Sequence, residues 1–140
     1  MGFDNAIIAA GSESAELPFI PQDDTRVITS TGALELQQIP ERMLVVGGGI
    51  IGLEMAAVYC QLGTRVTVVE LLDQLIPGTD ADIIAPLHKM ITKQYENIFL
   101  RTKVTAVDAS DSGLTVHFDG PKAPETDTFD QILVAVGRQP

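Results

Sequence analysis

Met43-Leu44-Val45-Val46-Gly47-Gly48-Gly49-Ile50-Ile51-Gly52-Leu53-Glu54 is the stretch that decides how the chain is read. Four apolar residues run into three glycines, and a helical pattern follows at once. Met43 to Val46 is too short for a buried helix and predicts a strand covered on both faces. Beyond the glycines, Ile51, Met55, Val58 and Leu62 recur at i, i+4, i+7 and i+11, which predicts one apolar stripe of a helix. Gly63 supplies the left-handed residue that commonly ends a helix. Arg65-Val66-Thr67-Val68-Val69-Glu70 then reads as a second strand, so strand, glycine turn, helix and strand fit into about 28 residues.

Each glycine of this G-x-G-x-x-G spacing has a physical task. Gly47 lets the chain turn sharply off the strand, and Gly49 lets a pyrophosphate approach the backbone. Gly52 lets the helix lie close against the sheet. The free N–H groups and positive dipole end of the helix then face the phosphates. Glu70 ends the second strand, 18 residues after Gly52, where an acid accepts hydrogen bonds from ribose hydroxyls. Taken alone, Glu70 is a solvated acid at a strand end; the glycines before it give it a ligand. Its carboxylate repels a 2′-phosphate, and neither Leu71 nor Leu72 offers a cation to hold one. The expected cofactor is NAD rather than NADP.

The 140 residues suffice for one domain with a real core. A net charge of −10 argues against nucleic acid or an anionic membrane surface as partner, because both require a basic face. No apolar run approaches the ~18 residues that span a bilayer, and no signal peptide opens the chain. A single cysteine, Cys60, excludes an internal disulfide and fits a reducing, cytoplasmic compartment. Cys60 falls on the first long helix beside Tyr59 and reads as a packing residue.

Before the glycine stretch, Phe3 to Ser12 reads as a buried strand stopped by Gly11. Residues 13–28 carry Pro18 and Pro21 and read as an irregular connector. Thr31 to Gln37 is expected to form a short helix capped by Ser30 or Thr31. After Glu70, a helix is expected from Asp80 or Asp82 with Ile83, Leu87, Met90, Ile91 and Tyr95 on its apolar face. Pro86 predicts a late start or a kink there. Ile98 to Leu100 reads as a third parallel strand. Val104 to Val107 and Leu114 to Phe118 form a hairpin, and residues 125–129 add a third meander strand. His117 reads as a surface residue and His88 as one on the exposed side of its helix. Ile132 to Val136 returns to the parallel sheet, with Gly137 at the strand end where ligands lie in open α/β sheets.

Taken together, these segments resemble the central NAD domain of the flavin-dependent disulfide oxidoreductases. The resemblance covers nearly the whole chain. Asn5-Ala6-Ile7-Ile8-Ala9-Ala10-Gly11-Ser12 is similar to the strand and A-T-G-S turn that leave the flavin domain, with Ala10 in place of threonine. Leu133-Val134-Ala135-Val136-Gly137-Arg138-Gln139-Pro140 is similar to the return strand. Leu17-Pro18-Phe19-Ile20-Pro21 and Ser30-Thr31-Gly32-Ala33-Leu34 resemble the connector of the bacterial lipoamide dehydrogenase branch. The fold implied is α/β, a Rossmann-like parallel sheet with flanking helices and an antiparallel three-stranded β-meander. Residues 1–42 would be the exit strand plus connector, and 43–140 the NAD-binding domain.

Such enzymes oxidise protein-bound dihydrolipoamide through a disulfide, pass electrons to FAD and transfer hydride to NAD. The resemblance implies that Gly47, Gly48, Gly49, Ile50, Ile51, Gly52, Leu53 and Glu54 form the pyrophosphate and nicotinamide wall. It implies that Glu70 binds the adenosine ribose, that Val104 lines the adenine and that Gly137 brings backbone near the cofactor. Ile50 stands where NADP-binding relatives often have a tyrosine. Glu54 is read as a first-turn carboxylate, and the resemblance gives it an ion pair with a lysine beside the flavin. A homodimeric parent working within 2-oxoacid dehydrogenase complexes is implied as well. The chain holds no Cys-x4-Cys pair, no second fingerprint for FAD and no histidine positioned as a thiol base, so it is expected to be an excised domain, itself inactive. Competing readings are another flavoprotein of the family, such as mercuric reductase or soluble transhydrogenase, and a free-standing NAD-sensing module.

Overall fold

The structure is a computed structural model and describes residues 2–140. Its centre is a five-stranded parallel sheet in the order β2 (Val27–Ile28), β9 (Gln131–Val134), β3 (Arg42–Val46), β4 (Arg65–Val69) and β5 (Asn97–Phe99). Successive strand residues point to opposite faces, and both faces of this sheet are covered. Met43 and Val45 of β3, with Val66 and Val68 of β4, join a core under the helices α1 (Ser30–Glu35), α2 (Ile50–Gln61) and α3 (Ala81–Ile91). Leu44, Val46 and Val69 face the other way. There they meet Val104, Leu114, Val116, Phe118 and Phe129 from the antiparallel sheet of β6 (Lys103–Ser110), β7 (Gly113–Asp119) and β8 (Thr126–Phe129). The result is helices, parallel sheet and meander in three layers.

The chain runs from β3 through α2 to β4 and on to β5, whereas β9 lies on the other flank of β3. Strand order therefore reverses between β3 and β9, and a crevice opens past the C-terminal ends of these strands. Two short strands, β1 (Glu13–Ser14) and β10 (Arg138–Gln139), pair antiparallel beside it.

At the opposite end of the sheet, where β3 begins, Arg42 ties the layers together. Its guanidinium meets Asp127 and Glu96, each at 2.8 Å, and lies 4.9 Å over the Phe129 ring. The Arg42 guanidinium holds the Asp127 carboxyl below the usual carboxylate range.

The fold class and the glycine turn agree with the sequence reading; several details do not. The stretch Phe3 to Ser12 is not a buried strand: Ile7 and Ile8 are exposed, and no strand forms there. The connector is not wholly irregular, because Val27–Ile28 adds an edge strand to the parallel sheet. Helix α1 begins at Ser30, its N-cap is Thr29, and no side chain caps it. Strand β9 ends at Val134 rather than Val136, although the Ala135 N–H still donates to Val46.

The helices are rotated relative to the predicted faces. In α2 the residues against the sheet are Gly52, Leu53, Ala56 and Tyr59, while Ile51, Val58 and Leu62 are exposed. This helix is apolar nearly all round, so periodicity alone does not choose its buried face. Small residues choose it instead: Gly52 and Ala56 let the helix approach the strands, and a Cβ on Gly52 would collide with the Gly47 carbonyl. In α3 the inward line is Ile84, the half-buried Leu87 and Ile91, continued by Tyr95 just past the helix end, and both Ile83 and Met90 are exposed. Helix α3 does not start late, and Pro86 lies inside it. Its N-cap Asp80 makes no side-chain cap bond.

Candidate functional site

A cavity of about 850 Å³ lies at the C-terminal ends of β3, β4 and β9. Gly47, Gly49, Ile50, Ile51, Glu70, Val104 and Gly137 all line it. The other expected site residues lie beneath or beside it. Gly48 is buried under the loop, Gly52 and Leu53 pack between α2 and the sheet, and Glu54 is exposed on the helix. Glu54 is the fifth residue of α2, and the first turn carries no acid. The dipole therefore gives it less than a first-turn carboxylate would gain.

Backbone geometry makes the loop. Gly47 has φ +108°, and a Cβ there would strike the Ala135 carbonyl, so only glycine fits between β3 and the exit from β9. A Cβ on Gly49, in contrast, meets nothing within 4 Å. That open space lies at the start of α2, whose first intrahelical bond is Leu53 N–H to the Gly49 carbonyl. The N–H groups of Ile50, Ile51 and Gly52 precede it and have no acceptor within the helix. Open space above a glycine and free donors at a helix start fit a pyrophosphate.

Glu70 is not a solvated acid. It is 8% exposed, and its Oε2 accepts the Gly48 N–H at 2.7 Å while Oε1 accepts the Leu72 N–H at 2.9 Å. The carboxylate thus pins the glycine loop to the end of β4. The loop after β4 is tied in as well, since the Ile76 N–H donates to the Gly48 carbonyl at 2.8 Å. Gly48 occupies an unspecified position of the G-x-G-x-x-G pattern, yet its place is tight. A Cβ there would come within 2.6 Å of Leu75 Cδ2 and 3.1 Å of Glu70 Cβ.

The cavity also takes in residues that the sequence reading left out. Leu71, Leu72, Ile76 and Pro77 form an apolar lip beyond Glu70, and Thr102 and Lys103 lead into Val104. Leu71 and Leu72 directly follow the acid, and Thr102 and Lys103 directly precede Val104, which is a positional signal; Ile76 and Pro77 reach the cavity only through the loop after β4. Lys103 is a cation on the cavity wall, contributed by the start of β6 and not by the residues that follow Glu70. At the other end Arg138 lines the cavity, and its guanidinium donates to the carbonyl and hydroxyl of Ser12. His117 pairs with Asp108 at 2.7 Å on the meander, far in sequence from the loop. Cys60 packs beside the core of the helical layer, with its thiol 3.5 Å from the Gln94 carbonyl. No metal-binding cluster exists among the described residues, and no described helix is long and apolar enough to cross a membrane.

Comparison with known proteins gives this geometry a family. Residues 1–140 match the family described as pyridine nucleotide-disulphide oxidoreductase. The chain is 52% identical to a dihydrolipoyl dehydrogenase of Vibrio parahaemolyticus over its whole length, which is 30% of that relative. It is 50% identical to the dihydrolipoyl dehydrogenase of Haemophilus influenzae, covering 99% of this chain and 29% of the relative. Among solved structures, a FAD-dependent pyridine nucleotide-disulphide oxidoreductase from Desulfovibrio vulgaris superposes with a TM-score of 0.82 at 27% identity, covering 100% of this chain and 37% of that one. The HOCl-induced flavoprotein disulfide reductase RclA from Escherichia coli gives 0.81 at 29% identity, over 93% of this chain and 29% of that one. The chain therefore spans about 30% of the length of the curated relatives it matches. With the match running from residue 1 to residue 140, the chain belongs to the pyridine nucleotide-disulphide oxidoreductases.

Proposed function

We propose that the chain is the NAD(H)-binding part of a dihydrolipoyl dehydrogenase. The parent would oxidise protein-bound dihydrolipoamide through a redox disulfide and FAD and reduce NAD to NADH. The observation that carries the binding role is the buried Glu70 carboxylate joined to the glycine loop at the mouth of the cavity. About 50% identity to relatives of that name supports the choice within the family. NAD supplies the hydride acceptor when bound, and the protein's part is placement.

Each residue has a task in that placement. Ile50 and Ile51 present N–H groups to the pyrophosphate above Gly49. Each Glu70 oxygen already accepts one N–H and keeps a second lone pair for a ribose hydroxyl. Leu71, Leu72 and Val104 give the adenine an apolar slot. Gly137, at φ +128°, keeps side-chain bulk away from the exit of β9. Gly48, Gly52 and Leu53 hold the loop and helix in place from below. Glu54, exposed on α2, is free to pair with a lysine of the flavin domain of the same parent chain. FAD would be held mostly by that domain, and the parent would work as a cytoplasmic homodimer within 2-oxoacid dehydrogenase complexes.

The test is turnover by the full-length protein that carries this chain, purified with its flavin. Dihydrolipoamide is expected to reduce NAD in that preparation. Reduction of NAD by a different dithiol or donor, with dihydrolipoamide inert, would overturn the assignment.

A further inference from the structure

The cavity wall carries two cations, Lys103 and Arg138, and they stand in different situations. Arg138 is engaged by Ser12 beside β9 and β10. Lys103 is exposed, lines the cavity next to Val104 and forms no ion pair with any described residue. Its place is fixed relative to the acid, because the Thr102 N–H donates to the Glu70 carbonyl at 3.0 Å and Lys103 is the next residue. A neighbouring cation, Arg101, is turned to Asp73 at 3.5 Å and is not part of the wall. A four-carbon stem gives the Lys103 ammonium reach over the mouth of the cavity.

We propose that Lys103 is a specificity-determining residue of the cavity: it attracts a phosphate on the adenosine ribose, and Glu70 opposes that attraction. The proposal rests on the dinucleotide-binding reading above. The ligand class concerned is the 2′-phosphorylated adenine nucleotide. Glu70 and Lys103 bracket the ribose edge with opposite charge, so the choice between a free hydroxyl and a phosphate there is a difference between two opposing interactions. With the acid intact, repulsion at close range and the two N–H groups already bound to it favour the hydroxyl. Once the acid is neutral, the lysine remains as an uncompensated cation beside the same edge.

The experiment is calorimetric titration of the 140-residue chain with 2′,5′-ADP and with 5′-AMP. The readout is the ratio of the two affinities. Glu70→Gln is expected to raise the ratio for the 2′-phosphate at least tenfold, and adding Lys103→Met is expected to remove most of that gain. In the unsubstituted background Lys103→Met is expected to lower the ratio about threefold, so the proposal stays testable if Glu70→Gln does not fold. Arg101→Met serves as the charge-matched control and is expected to leave the ratio unaltered. A ratio that ignores Lys103→Met in every folded background, or falls equally with Arg101→Met, overturns the proposal while 5′-AMP binding still supports the cavity reading. Binding of neither nucleotide to any folded variant would sink the cavity reading itself, and the proposal with it.

Discussion

The Gly48 N–H donates to Glu70 Oε2 at 2.7 Å, across 22 residues of sequence. One carboxylate thereby joins the glycine turn after β3 to the end of β4, before any ligand arrives. An acid at this position has two tasks: it sets the loop in the shape that frees the helix-start donors, and it keeps lone pairs for the ribose. Hydrogen bonds to a charged acceptor of this kind contribute about 1.5–3 kcal/mol each, enough to hold a short loop against its backbone entropy.

The glycines separate folding from binding. Gly49→Ala places a methyl in open space, at a φ of −77° that alanine adopts without strain. It is expected to cost less than about 1 kcal/mol of stability, the loss of a tolerable helix N-cap. NAD affinity is expected to fall at least tenfold, about 1.4 kcal/mol, because the methyl occupies the phosphate approach. Gly52→Ala drives a methyl into the Gly47 carbonyl and Val45, and is expected to destabilise the fold by roughly 2–3 kcal/mol. Urea midpoints and NAD titrations of the two variants check the contrast.

The nicotinamide end of the cavity is expected to contribute little affinity by itself. Ile50 and Val136 there are 61% and 41% exposed, so this chain gives that ring little burial. ADP-ribose is expected to bind within about threefold of NAD in a competitive titration. NAD binding a hundredfold more tightly would mean that the nicotinamide is gripped within these residues.

Acid stability is expected to depend on the Arg42 cluster. The Arg42 guanidinium lowers the Asp127 carboxyl, so the folded group loses its charge at lower pH than the unfolded one. The stabilisation is complete above the ordinary carboxylate value, about 3.9, and fades as pH falls through the lowered folded value. Asp127→Asn is expected to cost about 1–2 kcal/mol at pH 7 and much less near pH 2. Urea midpoints that show the same deficit at both pH values would contradict this.

At the alkaline end the relevant group is Tyr95. Burial, with a smaller push from Cys60, raises its hydroxyl to about 12. A raised folded value means that stability is intact below about pH 10 and is lost as pH climbs towards the folded value. Tyr95→Phe gives up one long bond to the Leu53 carbonyl, 3.4 Å, and is expected to cost under about 1 kcal/mol at pH 7. Its stability is expected to fall less steeply than that of the unsubstituted chain between pH 10 and 12, as thermal melts across that range would show.

Much of the fold is legible locally. The run from Met43 to Gly52 encodes a strand and turn by composition and spacing, and Gly63 stops the helix as expected. What is illegible depends on partners distant in sequence. The two-residue strand Val27–Ile28 exists only because β9 offers it an edge. The buried face of α2 is set by the close approach of Gly52 and Ala56, not by its apolar residues, which surround the helix. The exposed Ile7 and Ile8 show that an apolar run marks a surface able to be buried, without supplying what buries it. In the site, the acid and the glycines follow from the motif. The burial of Glu70 by Gly48 and the approach of Lys103 from the start of β6 arise only from tertiary pairing.

The central claim is that Glu70 makes this cavity a site for a dinucleotide with a free adenosine ribose. Paired calorimetric titrations of NADH and NADPH into the 140-residue chain test it most directly. NADH is expected to bind at least tenfold more tightly, ~1.4 kcal/mol, and Glu70→Ala is expected to narrow that gap. Equal affinities for the two in the unsubstituted protein would contradict it.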